Sequence, residues 1–430
     1  MRTRIKPLLL GCAVALGLGM GACGGDDSTD GGETPGVTDT KVTVGGHFPL
    51  TGPAAPGYSD IPVAIEAYFE YVNDNGGING RELEFIARDD GYNPTNTVKV
   101  TKQLVLDDGV FAIVGGLGTP THSKVVDYLN SSRVPDLFVS SGCLCWDEPE
   151  DHPYTFGWLP SYTVEGKTLG NYIAENFPDA KVGVFYQDDD FGADGMAGLD
   201  KYIEDQIVAR EGYQSGTTDI GPQIAAIKQA DADVVVLLTV PTYTALAHLA
   251  AAELNYAPQF VSSSVGADPV TVGGLLEEFS KGAAGTDMIE GMISDDYLPP
   301  VADTSDSWTQ LFDKVRKKYA PDLPPSGTVR YGMALAYTFA QALQAAGEHP
   351  TRDGIVDALE GQELAGPPLA PYRYSEDSHA GITGVQMGSI KDGESVPMGD
   401  VLTTDDGDGP IEPYIEGHPE APKDGIPPPQ

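Results

Sequence analysis

From Lys41 onward, short runs of β-branched and apolar residues alternate with segments whose apolar residues recur at helical spacing. That alternation is the signature of parallel strands covered by helices. It predicts strands over 42–45, 83–87, 111–114 and 136–140, with helices over 63–75, 96–107 and 123–131 between them. The pattern then repeats as helix 165–176, strand 182–186, helix 194–206, strand 207–210, helix 223–229, strand 234–240, helix 243–254 and strand 259–262. After Asp295 it gives way to helices over 307–319, 331–346 and 352–359, and to two short strands over 384–391 and 397–401. The fold class is therefore α/β, with two successive Rossmann-like lobes. Two open parallel sheets in series leave a crevice beyond the carboxyl ends of their strands, which is where such sheets bind ligands.

The two ends of the chain break this pattern. Arg2, Arg4 and Lys6 precede an apolar stretch over 7–20, followed by Gly21, Ala22 and Cys23. This is the layout of an export signal, and the stretch is shorter than the roughly 18 to 20 residues needed to cross a bilayer. The order Leu18-Gly19-Met20-Gly21-Ala22-Cys23 with polar residues after it resembles a bacterial lipoprotein signal, which implies a signal peptide over 1–22 and a lipidated Cys23. Residues 23–40 then read as a flexible tether, and the acidic, Pro-rich stretch 403–430 as a disordered tail.

Charge narrows the partners. The 25 Lys and Arg stand against 64 Asp and Glu, a net charge of −39, which repels the phosphate backbones of nucleic acids. Outside the signal and Cys23 there remain only Cys143 and Cys145, which an exported protein could hold as free thiols or as a labile bond. No dinucleotide fingerprint, Walker motif, nucleophile elbow or zincin motif occurs. Neither a cofactor nor a resident metal is expected, and the calcium-like Asp406-Gly407-Asp408-Gly409 lacks the remaining ligands of such a loop.

The first strand runs into Pro49-Leu50-Thr51-Gly52-Pro53, the helix after it ends at Asn73-Asp74-Asn75-Gly76-Gly77-Ile78-Asn79-Gly80-Arg81, and the next strand ends in Arg88-Asp89-Asp90-Gly91. Val114-Gly115-Gly116, the run Val182 to Gly192 and Ala232-Asp233-Val234-Val235-Val236 come after them in order. This ordered set resembles the branched-chain amino-acid binding proteins of ABC importers, of type I periplasmic-binding architecture, over roughly 41–402. The resemblance implies lobe 1 over 41–160 completed by 293–369, lobe 2 over 161–292 completed by 370–402, and a hinge of three crossovers. It implies a ligand carboxylate held at Thr119 and Ser141, with Thr121, Ser140 and Gly142 adjacent. These are hydroxyls and N–H donors at strand ends and a helix N-terminus, suited to an anion and equally to plain capping and turn formation. It further implies aromatic contacts at Phe191, Tyr243 and Tyr58, and it places Ser263, within Ser262-Ser263-Ser264, where the family carries the carboxylate that meets a ligand ammonium. Since a buried ammonium needs a counter-charge, one of Asp188, Asp189, Asp190 or Asp268 supplies it, or the ligand has no ammonium.

The expected protein is thus a monomeric binding protein and not an enzyme: an exported, lipid-anchored solute receptor, outside the cell membrane or in the periplasm, that passes a small carboxylate- or amide-bearing ligand to ABC permease subunits. Two alternatives stand beside it. One is a ligand-sensing domain that signals to a partner, and the other, suggested only by the Ser140-Ser141-Gly142 turn and nearby histidines, is an exported hydrolase.

Overall fold

A computed structural model describes residues 34–429. The export signal, Cys23 and most of the tether lie outside them. The first lobe carries β1 (Lys41–Phe48), α1 (Asp60–Asp74), β2 (Glu82–Asp89), α2 (Pro94–Leu106), β3 (Ile113–Val114), the single turn α3 (Thr119–His122), α4 (Val126–Ser131), β4 (Asp136–Val139) and β5 (Thr155–Gly157). Its sheet is wholly parallel, in the order β2-β1-β3-β4-β5.

The second lobe begins with α5 (Tyr162–Asn176), β6 (Val182–Gln187), α6 (Asp190–Ile203), β7 (Ile207–Tyr213), α7 (Gly221–Gln229), β8 (Val234–Leu238), α8 (Pro241–Glu253), β9 (Gln259–Ser262), α9 (Pro269–Ser280) and β10 (Ile293–Asp296). The chain returns to lobe 1 for α10 (Ser307–Tyr319), α11 (Gly327–Ala345) and α12 (Arg352–Gly361). It ends in lobe 2 with β11 (Gly384–Lys391), β12 (Glu394–Thr403) and β13 (Glu412–Pro413). This sheet has eight strands in the order β13-β12-β11-β10-β9-β8-β6-β7, parallel from β7 to β10 and antiparallel beyond. Every residue of β8, Val-Val-Val-Leu-Leu, is buried, as expected of a parallel strand with helices on both faces.

Three features differ from the sequence reading. First, β10 pairs in parallel with β9, so 293–296 belongs to lobe 2 and the return to lobe 1 starts after it. Second, β5 and α9 were not expected, β5 because three residues carry no period and α9 because Gly273-Gly274 interrupts its helical pattern. Third, the stretch expected to be a disordered tail is packed. The Lys167 ammonium, 1 % exposed, donates to Thr404 Oγ1 (2.7 Å) and lies within 3.2 Å of Asp405 Oδ1 and of the Asp405, Gly407 and Gly409 carbonyls. A lysine thus sits at the centre of the loop whose spacing hinted at calcium. Further on, Trp308 Nε1 donates to the Pro419 carbonyl (2.7 Å) and Tyr68 to the Gly425 carbonyl (2.6 Å). Because β13 lies in lobe 2 while Trp308 and Tyr68 lie in lobe 1, the tail makes a fourth crossing between lobes.

The α5–α6 pair positions one wall of the cleft. A Cβ on Gly166 would lie 2.2 Å from the Gly195 carbonyl, and one on Gly198 would lie 2.4 Å from that of Thr163. Only glycine permits the two helices to approach this closely. Ser161 caps α5 by accepting from Val164 N (3.0 Å), which fixes Tyr162 and Glu165 in the first turns.

Candidate functional site

Between the lobes lies a cavity of about 500 Å³, walled by apolar side chains such as Ile61, Leu117, Val240 and Val265, with a minority of polar groups. The lobes touch across it. Thr242 donates to the Pro53 carbonyl (2.6 Å), Leu144 N to Asp194 (3.0 Å) and Gly327 N to Asp268 (2.7 Å). These bonds link the two lobes directly.

The sequence-derived residues divide into two groups. Tyr58, Ser140 and Phe191 line the cavity. The Tyr58 hydroxyl donates to the Val265 carbonyl of the other lobe (3.3 Å), and Ser140 donates to the Gly115 carbonyl (3.0 Å) while accepting from Tyr331 (2.6 Å). Thr119, Thr121, Ser141, Gly142, Tyr243 and Ser263 lie behind the wall. Thr119 and Ser141 hydroxyls bond each other (2.8 Å) and lie 3.4 Å from the Tyr162 hydroxyl. The Tyr162 ring, packed on Phe191 with centroids 4.3 Å apart, roofs them from the cavity. Burial pushes the Tyr162 phenol up to about 12, so it stays a donor.

Thr121 turns back to the Leu117 and Gly118 carbonyls (2.5 and 2.9 Å). At Gly142 a Cβ would meet the Pro160 carbonyl at 2.4 Å, which lets the Tyr162 segment close in. Tyr243 stacks on Tyr213 (3.7 Å) and accepts from Gly216 N (2.7 Å). Ser263 is buried with an unpartnered hydroxyl, and its neighbour Ser264 lines the cavity instead. The partners of Ser141 are Thr119, Tyr162 and Cys143 N, with no histidine among them, so the geometry supplies no base for a serine nucleophile. Cys143 and Cys145 are joined in a disulfide.

A bulge sets these directions. Phe138 has φ +63°, in the left-handed region, and the β4–β5 register shifts between Leu137 and Val139. The extra residue re-aims the strand end, turning Ser140 toward Tyr331 and Ser141 toward Thr119. Beneath the Gly115–Gly118 loop, Asp90, His47, His122 and Asp136 form a fully buried chain with contacts of 2.8, 2.9 and 2.7 Å. A Cβ on Gly116 would lie 2.4 Å from His122 Nδ1, so the loop rests on the two imidazoles. Burial holds the His47 ring below its ordinary value, against the Asp90 carboxylate.

The charged residues of the cavity escaped the sequence reading. Asp295, Asp296 and Arg330 line it, and Arg330 Nη2 reaches Asp296 at 3.2 Å. Behind Ser264, the buried Glu165 accepts from Ser264 N (3.0 Å) and Oγ (2.5 Å). Of the four carboxylates considered as counter-charges, Asp188 and Asp190 are exposed. Asp189 caps α6, and Asp268 reaches the cavity but accepts from Thr271 and Gly327. No motif marks Glu165 or Asp295. The available signal was an acidic pair closing the apolar run Gly291-Met292-Ile293-Ser294, at a strand end.

Two sheets with a partly open cavity between their carboxyl ends, joined by several crossings, have the layout of a small-molecule binding cleft. The chain belongs to the periplasmic binding protein family, which it matches over residues 41–394, and its members are solute-binding proteins of the ABC-transporter type. It is 25% identical over 351 residues to the Leu/Ile/Val-binding protein homolog 1 of Brucella abortus (strain 2308), covering 80% of this chain and 89% of that one. Among solved structures it resembles the fatty acid ABC transporter substrate-binding protein from Thermomonospora curvata (TM-score 0.75, 21% identity, 88% of this chain and 96% of that one). It also resembles a branched-chain amino acid ABC transporter protein from Thermus thermophilus with bound valine (TM-score 0.73, 19% identity, 85% and 96%). Among the described residues no helix is long and apolar enough to cross a membrane, and no group of three or more His, Cys, Asp or Glu is placed to hold a metal.

Proposed function

We propose that this protein is the exported solute receptor of an ABC importer. It takes a small carboxylate- or amide-bearing ligand, a branched-chain amino acid or a related compound, into the interlobe cavity, closes on it by hinge motion and delivers it to a permease. Lipid at Cys23 anchors it to the outer face of the membrane. The observation that carries this reading is the largely apolar interlobe cavity with a minority of polar groups, in a two-lobed member of a solute-binding family. A volume of about 500 Å³ is within the range of small-molecule sites. Tyr58, Ser140 and Phe191 are the proposed ligand contacts. In this reading Thr119 and Ser141 reach ligand only when Tyr162 swings away during opening.

The test is a thermal-shift screen of the form beginning at Gly24, against branched-chain amino acids, short amides, aromatic carboxylates and fatty acids. A ligand at a hundredfold over its Kd stabilises the closed form by about 2.7 kcal/mol. A hit weakened by Phe191→Ala and Tyr58→Ala supports the reading. Silence from every class rejects it. Cys23→Ser is expected to move the protein from the membrane fraction to the soluble one.

A further inference from the structure

The end of the chain is anchored on both lobes, and little of it is free between the anchors. On the lobe 2 side, β13 pairs with β12 through Leu402–Pro413 and Thr403–Glu412, and Tyr414 N donates to the Val401 carbonyl (2.8 Å). The loop before β13 is held at the hinge. Asp406 accepts from the Ser161 hydroxyl at the start of α5 and from Arg373 Nη1 (3.0 Å), while Arg373 Nη2 donates to the Thr404 carbonyl (3.0 Å). Arg373 lies on the crossover between α12 and β11, and its neighbours pack on lobe 1. The Tyr374 hydroxyl donates to the Gly157 carbonyl (2.6 Å) with its ring against Phe138 and Phe156, and the Tyr372 hydroxyl bonds that of Thr338 on α11 (3.0 Å). On the lobe 1 side, Trp308 Nε1 holds the Pro419 carbonyl (2.7 Å), Ala421 N donates to the Ser307 hydroxyl (2.8 Å), and the Tyr71 and Tyr68 hydroxyls donate to the Asp424 and Gly425 carbonyls. A Cβ on Gly425 would lie 2.6 Å from Leu311 Cδ1, so the segment sits directly on α10.

Between these anchors the chain is short. Five peptide steps join Tyr414 to Pro419, and fully extended they reach about 18 Å. Within them Ile415, Glu416 and Gly417 are exposed, Ile415 at 91 %, and His418 Nε2 already lies 3.4 Å from Asp306 beside the start of α10. We propose that residues 404–425 are a strap that limits how far the two lobes separate. Hinge crossovers permit rotation, and a further connection of bounded reach stops that rotation once its free span is taut. The ligand-free protein is thereby kept nearer its closed conformation, so less of the binding free energy goes into closure. The device acts on lobe motion and depends on no particular solute.

The experiment reads the distance between the lobes, without any solute, in the form beginning at Gly24. Thr95→Cys and Ser215→Cys put spin labels on exposed positions just beyond the carboxyl ends of β2 and β7, with the Cys143–Cys145 disulfide left oxidised. Pulsed electron paramagnetic resonance then gives the distribution of distances across the cleft. A short and a long Gly-Ser insert after Glu416 slacken the strap while leaving every anchor in place. The short insert also carries a protease site, so that the same molecule can be cut after it has folded. The expected result is a population at longer distances that grows from the native chain to the short insert to the long one. The long insert is expected at least to double the share of pairs beyond the native upper quartile, and cutting the short-insert chain to widen its distribution as far or further. The proposal is overturned if the long-insert and native distributions coincide, or if cutting leaves the short-insert distribution unchanged. Because no solute enters the measurement, either result leaves the receptor reading to its own test.

Discussion

His248 makes lobe 2 acid-sensitive. It lies on α8, 4 % exposed, its ring packed on Phe260 with centroids 4.0 Å apart. Its Nε2 has no partner, and burial lowers its pKa to about 4, opposed only by a hydrogen bond to the Met288 backbone. An imidazolium there would bury an N–H with nothing to accept it. In the unfolded chain the ring titrates near its ordinary value of 6.5. The sign comes from linkage. Above 6.5 both states are neutral, and the full contribution is present. As pH falls below 6.5 the unfolded state takes a proton that the fold refuses, so stability is lost until about pH 4. At 1.36 kcal/mol per pH unit, a gap of this size removes about 3 kcal/mol between pH 7 and pH 4. The perturbation is His248→Phe, which keeps a ring against Phe260 and removes the titration. Urea unfolding of both proteins at pH 7, 6, 5 and 4, followed by far-UV circular dichroism, gives two stability curves. Carboxylates titrate alike in both and cancel in the difference. The expected outcome is that the native protein loses about 3 kcal/mol more than the variant over this range. Curves that stay parallel to within about 0.5 kcal/mol would falsify the assignment of a buried neutral ring.

Other outcomes depend on single contacts. Lys167→Met removes the ammonium around which Thr404, Asp405, Gly407 and Gly409 gather; it is expected to cost about 2 kcal/mol and to expose the segment after Thr403 to limited proteolysis. Asp136→Ala leaves His122 Nε2 without its carboxylate in a fully buried setting, and thermal unfolding should register a loss of about 3 kcal/mol or more. Gly198→Val drives a side chain into the Thr163 carbonyl and the Lys167 N–H, and destabilisation of about 1 to 3 kcal/mol is expected in the same assay. Truncation after Thr403 cuts the fourth crossing, and small-angle scattering without ligand is expected to show a larger radius of gyration than for the full chain.

Much of the fold was legible because parallel sheets write themselves as apolar runs. β8 is a continuous run of valine and leucine, and β6 is apolar from Val182 to Tyr186. The illegible parts depended on length or on distance. β10 is four residues, two of them acidic, and nothing local separates a strand that ends at a cleft from a turn. The site was half legible for a related reason. Strand ends and small hydroxyls announce a crevice, but which hydroxyl faces it was decided by a bulge at Phe138 and by the Tyr162 ring, neither of which has a sequence period. Asp295 and Arg330 lie on different elements and come to one cavity wall only in three dimensions. Among 64 acidic residues, a single aspartate attracts no notice.

The tail shows why composition misleads in a particular direction. Its prolines and acids bury little apolar surface, and a segment that cannot offset its ordering entropy by burial reads as disordered. Yet every ordered stretch of it is held from outside. Trp308 and Tyr68 are large rings whose polar tips need acceptors, and they find them in the Pro419 and Gly425 carbonyls. Lys167 is a buried ammonium in the middle of α5, and Asp405 answers it. The signal for order therefore lay in the body, in polar groups of buried residues that had no partner nearby in sequence, and not in the tail. Once the Lys167 and Trp308 donors are matched, the cavity-lining side chains that keep buried polar atoms without a partner are Arg330 and Asp295.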